Sequence, residues 1–272
     1  MTALAPPAAT PGPLRLDKWY VDTLLADGTI LLVYLGSLTA GPVTLSRVSA
    51  DLFLPDGAHR SGGCKGRRPR LAAGAADFGA AGFEGGRLWF DTPGLSGDLA
   101  FNPRHPGFEP HTPFLVSGRR SLRWVMEVPD ADVEGEVRWP GGSRAVAGRG
   151  YRDRVWTDIP LWRLPLHELR WGRAVAGDHA CAWVQATGPA GVTAAAWQDG
   201  RLVDRDFTPP LAGSGRVILA GPVIDLETLH LGPLRGPLGR LLHTPHQVKQ
   251  AAPASLVGVA GQAIHEVVTW PR

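Results

Sequence analysis

Apolar and polar residues alternate over short runs, and turn residues punctuate them. Lys18-Trp19-Tyr20-Val21-Asp22-Thr23-Leu24-Leu25 reads as a strand, Ala26-Asp27-Gly28-Thr29 as a hairpin turn and residues 30–35 as the returning strand. Residues 43–54 form a mixed strand pattern that Pro55-Asp56-Gly57 closes. Residues 59–82, polar and rich in Gly and Ala, predict a long loop with little strand. Arg87-Leu88-Trp89-Phe90 predicts a short strand, and the Pro- and Gly-rich residues 91–113 a lid or rim. Residues 121–128 and 134–139 predict a strand pair.

The second half repeats the style. Hairpins are expected at 170–176 with 179–187 around Gly177-Asp178, and at 192–198 with 201–207 around Asp199-Gly200. Later strands are expected at 216–219, 224–231 and 263–269, and a short helix near 238–243 within a Pro-, Gly- and Leu-rich stretch, 232–256. Turn signals recur about every 8 to 12 residues, the mark of an all-β protein. Two blocks of hairpins predict two antiparallel β-barrels: a flexible tail at 1–13, a first barrel at 14–145 and a second at 146–272.

Composition narrows this further. With 44% hydrophobic and 19% charged residues the chain has material for a core, and 35 Gly and 25 Pro disfavour long helices. Ten Trp against three Tyr provide large aromatic surface for a barrel interior or an apolar pocket. The net charge of +3 is mild, and no interleaving of basic and aromatic residues points to nucleic acid. Lys65-Gly66-Arg67-Arg68-Pro69-Arg70 reads either as a solvated loop or as a transient contact with a membrane surface or other anionic partner. Cys64 and Cys181 are expected to be free thiols. Residues 1–13 lack a secretory pattern and no apolar run reaches the roughly 18 residues of a bilayer span, so a cytoplasmic location is expected. Oligomeric state is left open.

The densest chemistry lies at 148–173. Tyr151 and Asp153 are two residues apart, so on a strand they share a face. A carboxyl beside a phenol, with aromatic surface nearby, is what acid chemistry on an apolar substrate needs. The bland alternative is that Asp153 caps a strand or pairs with Arg152, Arg154 or Arg173, and an arginine-paired carboxylate is no acid. Trp124, Trp156 and Trp171 serve either the core or a pocket wall, and His167 is a rim residue or a proton shuttle. His105 with His111, and His243 with His246, lack a carboxylate at fixed spacing, so no metal site is expected. Neither Gly-x-Gly-x-x-Gly nor Gly-x-Ser-x-Gly occurs in a usable context, and no cofactor is expected.

Two places carry a family resemblance. Trp19-Tyr20-x-Asp22 before Asp27-Gly28-Thr29, and Gly148-x-Gly150-Tyr151-x-Asp153 with Trp156, Pro160-Leu161 and Trp171-Gly172-Arg173, resemble the lipocalin-like family typified by carotenoid 1,2-hydratase (hydroxyneurosporene synthase), which also holds Diels–Alderase-type pericyclases. Together they span about 45 residues. The resemblance implies two packed lipocalin-like β-barrels, with Asp153 and Tyr151 in the catalytic roles and Trp19, Tyr20, Trp124, Trp156, His167 and Trp171 around a hydrophobic small-molecule substrate. The chain departs from the family pattern at Leu122, where a His stands, at Arg154 and Val155, where His and Asn stand, and at Thr157, where Gly stands. These changes weaken a hydratase and suit a cyclase, an isomerase or a pure binder. The expected activity is cofactor-independent, acid-assisted hydration, cyclisation or isomerisation of a polyene, terpenoid or polyketide; the alternative is a non-catalytic carrier of a lipid or pigment.

Overall fold

The strand expected at 18–25 forms the C-terminal part of a longer first strand. The structure, a computed structural model, describes residues 14–109, 113–203, 217–219, 224–225 and 246–270. Contacts divide the chain into two units, up to Ile159 and from Pro160 on.

The first unit holds β1 (Leu14–Leu25), β2 (Ile30–Ala40), β3 (Val43–Phe53), β4 (His59–Gly66), β5 (Arg70–Ala72), β6 (Ala75–Asp77), β7 (Ala81–Glu84), β8 (Arg87–Thr92), β9 (Leu95–Pro103), β10 (Leu115–Ser117), β11 (Arg120–Trp139) and β12 (Gly142–Thr157). They form one sheet in the order β4-β3-β2-β1-β12-β11-β9-β8-β7-β6-β5, with β10 paired to β11. At the β1–β2 turn Asp27 Oδ1 accepts the Thr29 N–H at 2.9 Å, and Gly28 takes φ 87°, as the Asp-Gly signal requires.

This sheet curls on itself. Trp19 of β1 meets Phe78 at 5.8 Å and Phe83 of β7 at 5.9 Å between ring centroids, although β7 lies five places from β1 in the sheet. The enclosed core holds Trp19, Val21, Val33, Val48, Phe83, Phe90 and Phe101. It is filled by the odd-numbered residues of β1 and the even-numbered residues of β3, as a two-residue period demands.

Three stretches differ from expectation. Residues 59–82 carry β4, β5, β6 and the start of β7 instead of a long loop. A Cβ at Gly62 would overlap the Thr92 hydroxyl and stand 2.6 Å from the Pro93 carbonyl oxygen, so glycine lets β4 close against the β8–β9 turn. Residues 95–103 are β9, paired with both β8 and β11, where a lid or rim was expected. Residues 120–139 are one strand, broken in register between Met126 and Val128 and again between Val128 and Ala131. The expected boundary at 145/146 falls inside β12, which pairs along its length with β11 and, from Gly148 to Thr157, with β1.

The second unit opens with a 3-10 turn at Leu161–Arg163 and continues through β13 (Glu168–Ala176), β14 (His179–Gly188), β15 (Gly191–Gln198), β16 (Arg201–Val203), β17 (Val217–Leu219), β18 (Ile224–Asp225), β19 (His246–Leu256) and β20 (Val259–Thr269). The order is β16-β15-β14-β13-β20-β19-β17, with β18 paired to β19. Its core is Ala174, Ala176, Cys181, Trp183, Ala196, Ala254, Leu256 and Ala263. Alanines face Trp183 because the indole already fills the space; a Cβ at Gly172 would stand 2.6 Å from its Cε2. Residues 246–256, expected as part of an irregular stretch, form β19. The expected tail at 1–13, the helix near 238–243, His111 and His243, and parts of the strands expected at 201–207, 216–219 and 224–231 lie outside the described residues.

His265 on β20 is buried, and burial holds its imidazole below the ordinary value of 6.5. The unfolded chain therefore takes up a proton that the folded chain refuses, so stability is full above that value and falls as pH drops below it. A pH series of thermal melts is expected to show the second unit losing stability from pH 7 to pH 5, with a shallower slope for His265→Gln.

Candidate active site

β12 lies between β1 and β11, and its residues alternate between the enclosed core and the opposite face of the sheet. Arg152 and Arg154 stand opposite Val21 and Trp19, on the core side; Tyr151 and Asp153 stand opposite Asp22 and Tyr20, on the other. Both are buried, Asp153 at 5% exposure and Tyr151 at 0%. The Tyr151 hydroxyl donates to Asp153 Oδ2 at 3.0 Å, and the Trp124 indole N–H donates to the same oxygen at 3.0 Å. Trp124 reaches it from β11, where Met126 stands opposite Asp153 and Trp124 opposite Val155.

Aromatic rings surround this carboxyl. Tyr20 lies 6.2 Å from Tyr151 and 5.2 Å from Tyr34, and Phe114 packs edge-on against Trp124 at 6.2 Å. Beyond Tyr151 on this face, Arg149 Nε donates to Asp130 Oδ1 at 2.9 Å, and Asp130 is fully buried. The two arginines that flank Asp153 in sequence turn to the core side. Arg154 donates to Asp17 Oδ1 at 2.7 Å, and Arg152 Nε sits 3.0 Å from Glu127 Oε2 as an ion pair without hydrogen-bond alignment. Burial pulls the Arg152 guanidinium below its ordinary value, with Glu127 opposing the shift.

Of the residues singled out from sequence, Asp153, Tyr151, Trp124 and Tyr20 come together. Trp19 and Trp156 belong to the opposite face of the same sheet: Trp19 donates to Glu127 Oε1 at 3.3 Å, and Trp156 lies between the guanidiniums of Arg15 and Arg123 at 5.6 and 5.4 Å. Trp171 and His167 belong to the second unit, where Trp171 is buried with Lys249 Nζ 5.1 Å from its ring centroid and His167 is exposed. Among the described residues no group of three or more His, Cys, Asp or Glu is placed to hold a metal ion. No helix of the described residues is long and apolar enough to cross a membrane.

No protein-family model matches this sequence, and no curated protein does. Solved structures do. CghA, crystallised with Sch210972, is 15% identical with a TM-score of 0.61, covering 99% of this chain and 95% of its own. An AttH-like protein of Nitrosomonas europaea is 16% identical with a TM-score of 0.59, over 95% and 93% of the two chains. Kievitone hydratase of Nectria haematococca is 12% identical with a TM-score of 0.55, over 97% and 90%.

The chain has the lipocalin-like fold of these proteins.

Within that fold, the departures from the hydratase pattern separate by face. Leu122, Val155 and Thr157 lie on the Asp153 face, since Leu122 stands opposite Thr157 and Val155 opposite Trp124; Arg154 lies on the core side. Leu122 and Val155 leave the surroundings of the carboxyl more apolar than His and Asn would. From sequence, Tyr34 is only part of the returning strand, and Asp22, fully buried, is part of the opening motif with a role in strand pairing or an interdomain salt bridge. The signal for both was register: Asp22 stands opposite Tyr151 across β1 and β12, and Tyr34 opposite Tyr20 across β1 and β2.

Proposed function

We propose that this chain is a cofactor-independent enzyme that transforms an apolar polyene, terpenoid or polyketide by acid-assisted cyclisation, isomerisation or hydration, with Asp153 as the acid. The observation that carries the reading is the buried Tyr151–Asp153–Trp124 hydrogen-bond group among the rings of Tyr20, Tyr34 and Phe114. Protonation of an alkene carbon by the Asp153 carboxyl leaves a tertiary cation and a carboxylate. The aromatic faces stabilise that cation by about 0.5–2 kcal/mol each. Tyr151 and Trp124 hold the carboxylate as it forms, because both donors aim at one oxygen. The cation then closes onto a second double bond and the ring cation loses a proton to the Asp153 carboxylate, or loses a different proton to that carboxylate directly, or takes up water whose proton returns to Asp153. The apolar Leu122 and Val155 favour the first two outcomes, since neither holds a water. A hydratase among proteins of this fold, kievitone hydratase, keeps hydration within the reading.

The test is native mass spectrometry and organic extraction of the protein purified from its own host, followed by incubation with the recovered compound. A product of unchanged mass supports cyclisation or isomerisation, and a gain of one water supports hydration. Stoichiometric recovery of the compound unchanged after incubation with excess protein overturns the enzyme in favour of a carrier.

A further inference from the structure

The registers of β1 to β4 arrange the Asp153 face in rows. Asp153, Tyr20, Tyr34 and Ser49 form one row; Val155, Lys18, Gly36, Arg47 and Lys65 form the next; Thr157, Leu16, Leu38 and Leu45 follow; and Leu14, Ala40 and Val43 end the sheet. The face thus passes from aromatic to cationic to aliphatic in three steps of about 7 Å each. None of the six aliphatic residues in the last two rows is buried, and Leu45 and Val43 are 66% and 56% exposed. Val43 and Leu45 also lie outside the register with β4, which begins at Ser46 opposite Gly66. The chain leaves β4 at this end of the sheet and runs directly into Arg67, Arg68 and Arg70. Residues 65–77 hold four cations against one acid, Asp77, which Arg67 engages.

We propose that this margin docks on an anionic lipid bilayer, with Leu14, Leu16, Leu38, Ala40, Val43 and Leu45 in the acyl boundary and Arg47, Lys65 and Arg68 at the headgroups, while Lys18 turns inward over the Tyr34 ring. The spacing matches an interfacial protein: apolar side chains enter the boundary by roughly 5–10 Å, which puts the cationic row at the phosphates. Each lysine or arginine near such a surface contributes about 1 kcal/mol, so the cations tell an anionic bilayer from a neutral one. Delivery of an apolar substrate along the face to Asp153, two rows in from the aliphatic margin, rests on the function proposed above; the docking itself does not.

The test uses the full chain and vesicles of phosphatidylcholine with or without phosphatidylglycerol, separated by flotation. Binding is expected only with phosphatidylglycerol and should fall about tenfold on raising the salt through the range that screens surface charge. Leu45→Ser, and separately Lys65→Glu with Arg68→Glu, should each weaken it about tenfold without changing the melting temperature, since these side chains are exposed. Failure to float with anionic vesicles overturns the proposal, as does binding that neither variant weakens. So does a dimer, broken by Leu45→Ser, that forms in place of vesicle binding; displacement of the vesicles by an oligonucleotide would reassign the cations to nucleic acid. Asp153→Asn should float like the native chain. Docking without turnover would therefore overturn the proposed enzyme and leave the lipid surface standing.

Discussion

Replacing Asp153 by Asn is expected to lower kcat about a thousandfold while leaving ligand affinity and melting temperature close to those of the native chain. The amide oxygen still accepts from the Tyr151 hydroxyl and the Trp124 indole, each now 3.0 Å from Asp153 Oδ2, so the aromatic enclosure keeps its shape. Only the transferable proton is lost. Tyr151→Phe keeps the ring against Tyr20 and removes one donor; it should cost far less in kcat than the Asn variant, because Trp124 still holds the same oxygen. The measurements are single-turnover rates and equilibrium binding of the same compound. Native rates in Asp153→Asn would remove Asp153 from the chemistry and leave the rings as a binding surface.

The second large effect concerns stability. Gly148→Ala should destabilise the first unit by about 3 kcal/mol, seen as a lower denaturant midpoint with an unchanged slope. A Cβ at 148 would overlap the Leu24 carbonyl oxygen and stand 2.9 Å from Leu25 Cα, both backbone atoms that cannot turn aside. At Gly150 the obstacle is side-chain: the added carbon would meet Val133 and stand 2.5 Å from Phe101 Cε1. Gly150→Ala should therefore cost less than Gly148→Ala if Phe101 shifts. The Gly-x-Gly of the signature thus seats β12 against β1 and β11.

Much of the first sheet was legible in the chain. Asp27-Gly28 marked the β1–β2 turn, and the spacing of Tyr151 and Asp153 placed both on one face, as their hydrogen bond shows. The same two-residue period separates Trp19 from Tyr20 and Trp156 from Asp153, and grouping all four around one substrate set that period aside. What stayed hidden had physical causes. In β4 the residues Ser61, Gly62, Gly63 and Cys64 offer no apolar alternation, because the wall closes there by backbone approach. In β11 two bulges shift the phase, so no single alternation runs from Trp124 to Val137, and Glu127 turns to Arg152 and Trp19 on the core side. In the second unit, alanines facing Trp183 replaced the bulky residues that usually mark a core.

The alternation along β12 has a consequence for how such a protein changes its task. Positions 148, 150, 152 and 154 keep the sheet closed and the buried ions paired, while 151, 153, 155 and 157 share the opposite face. Together with 122 and 124 on the neighbouring strand, these positions form a palette of six that can be recoloured while the masonry stays in place. A library varied at those six alone would sample new pockets on an unaltered scaffold, and divergence in chemistry needs no renegotiation of the fold.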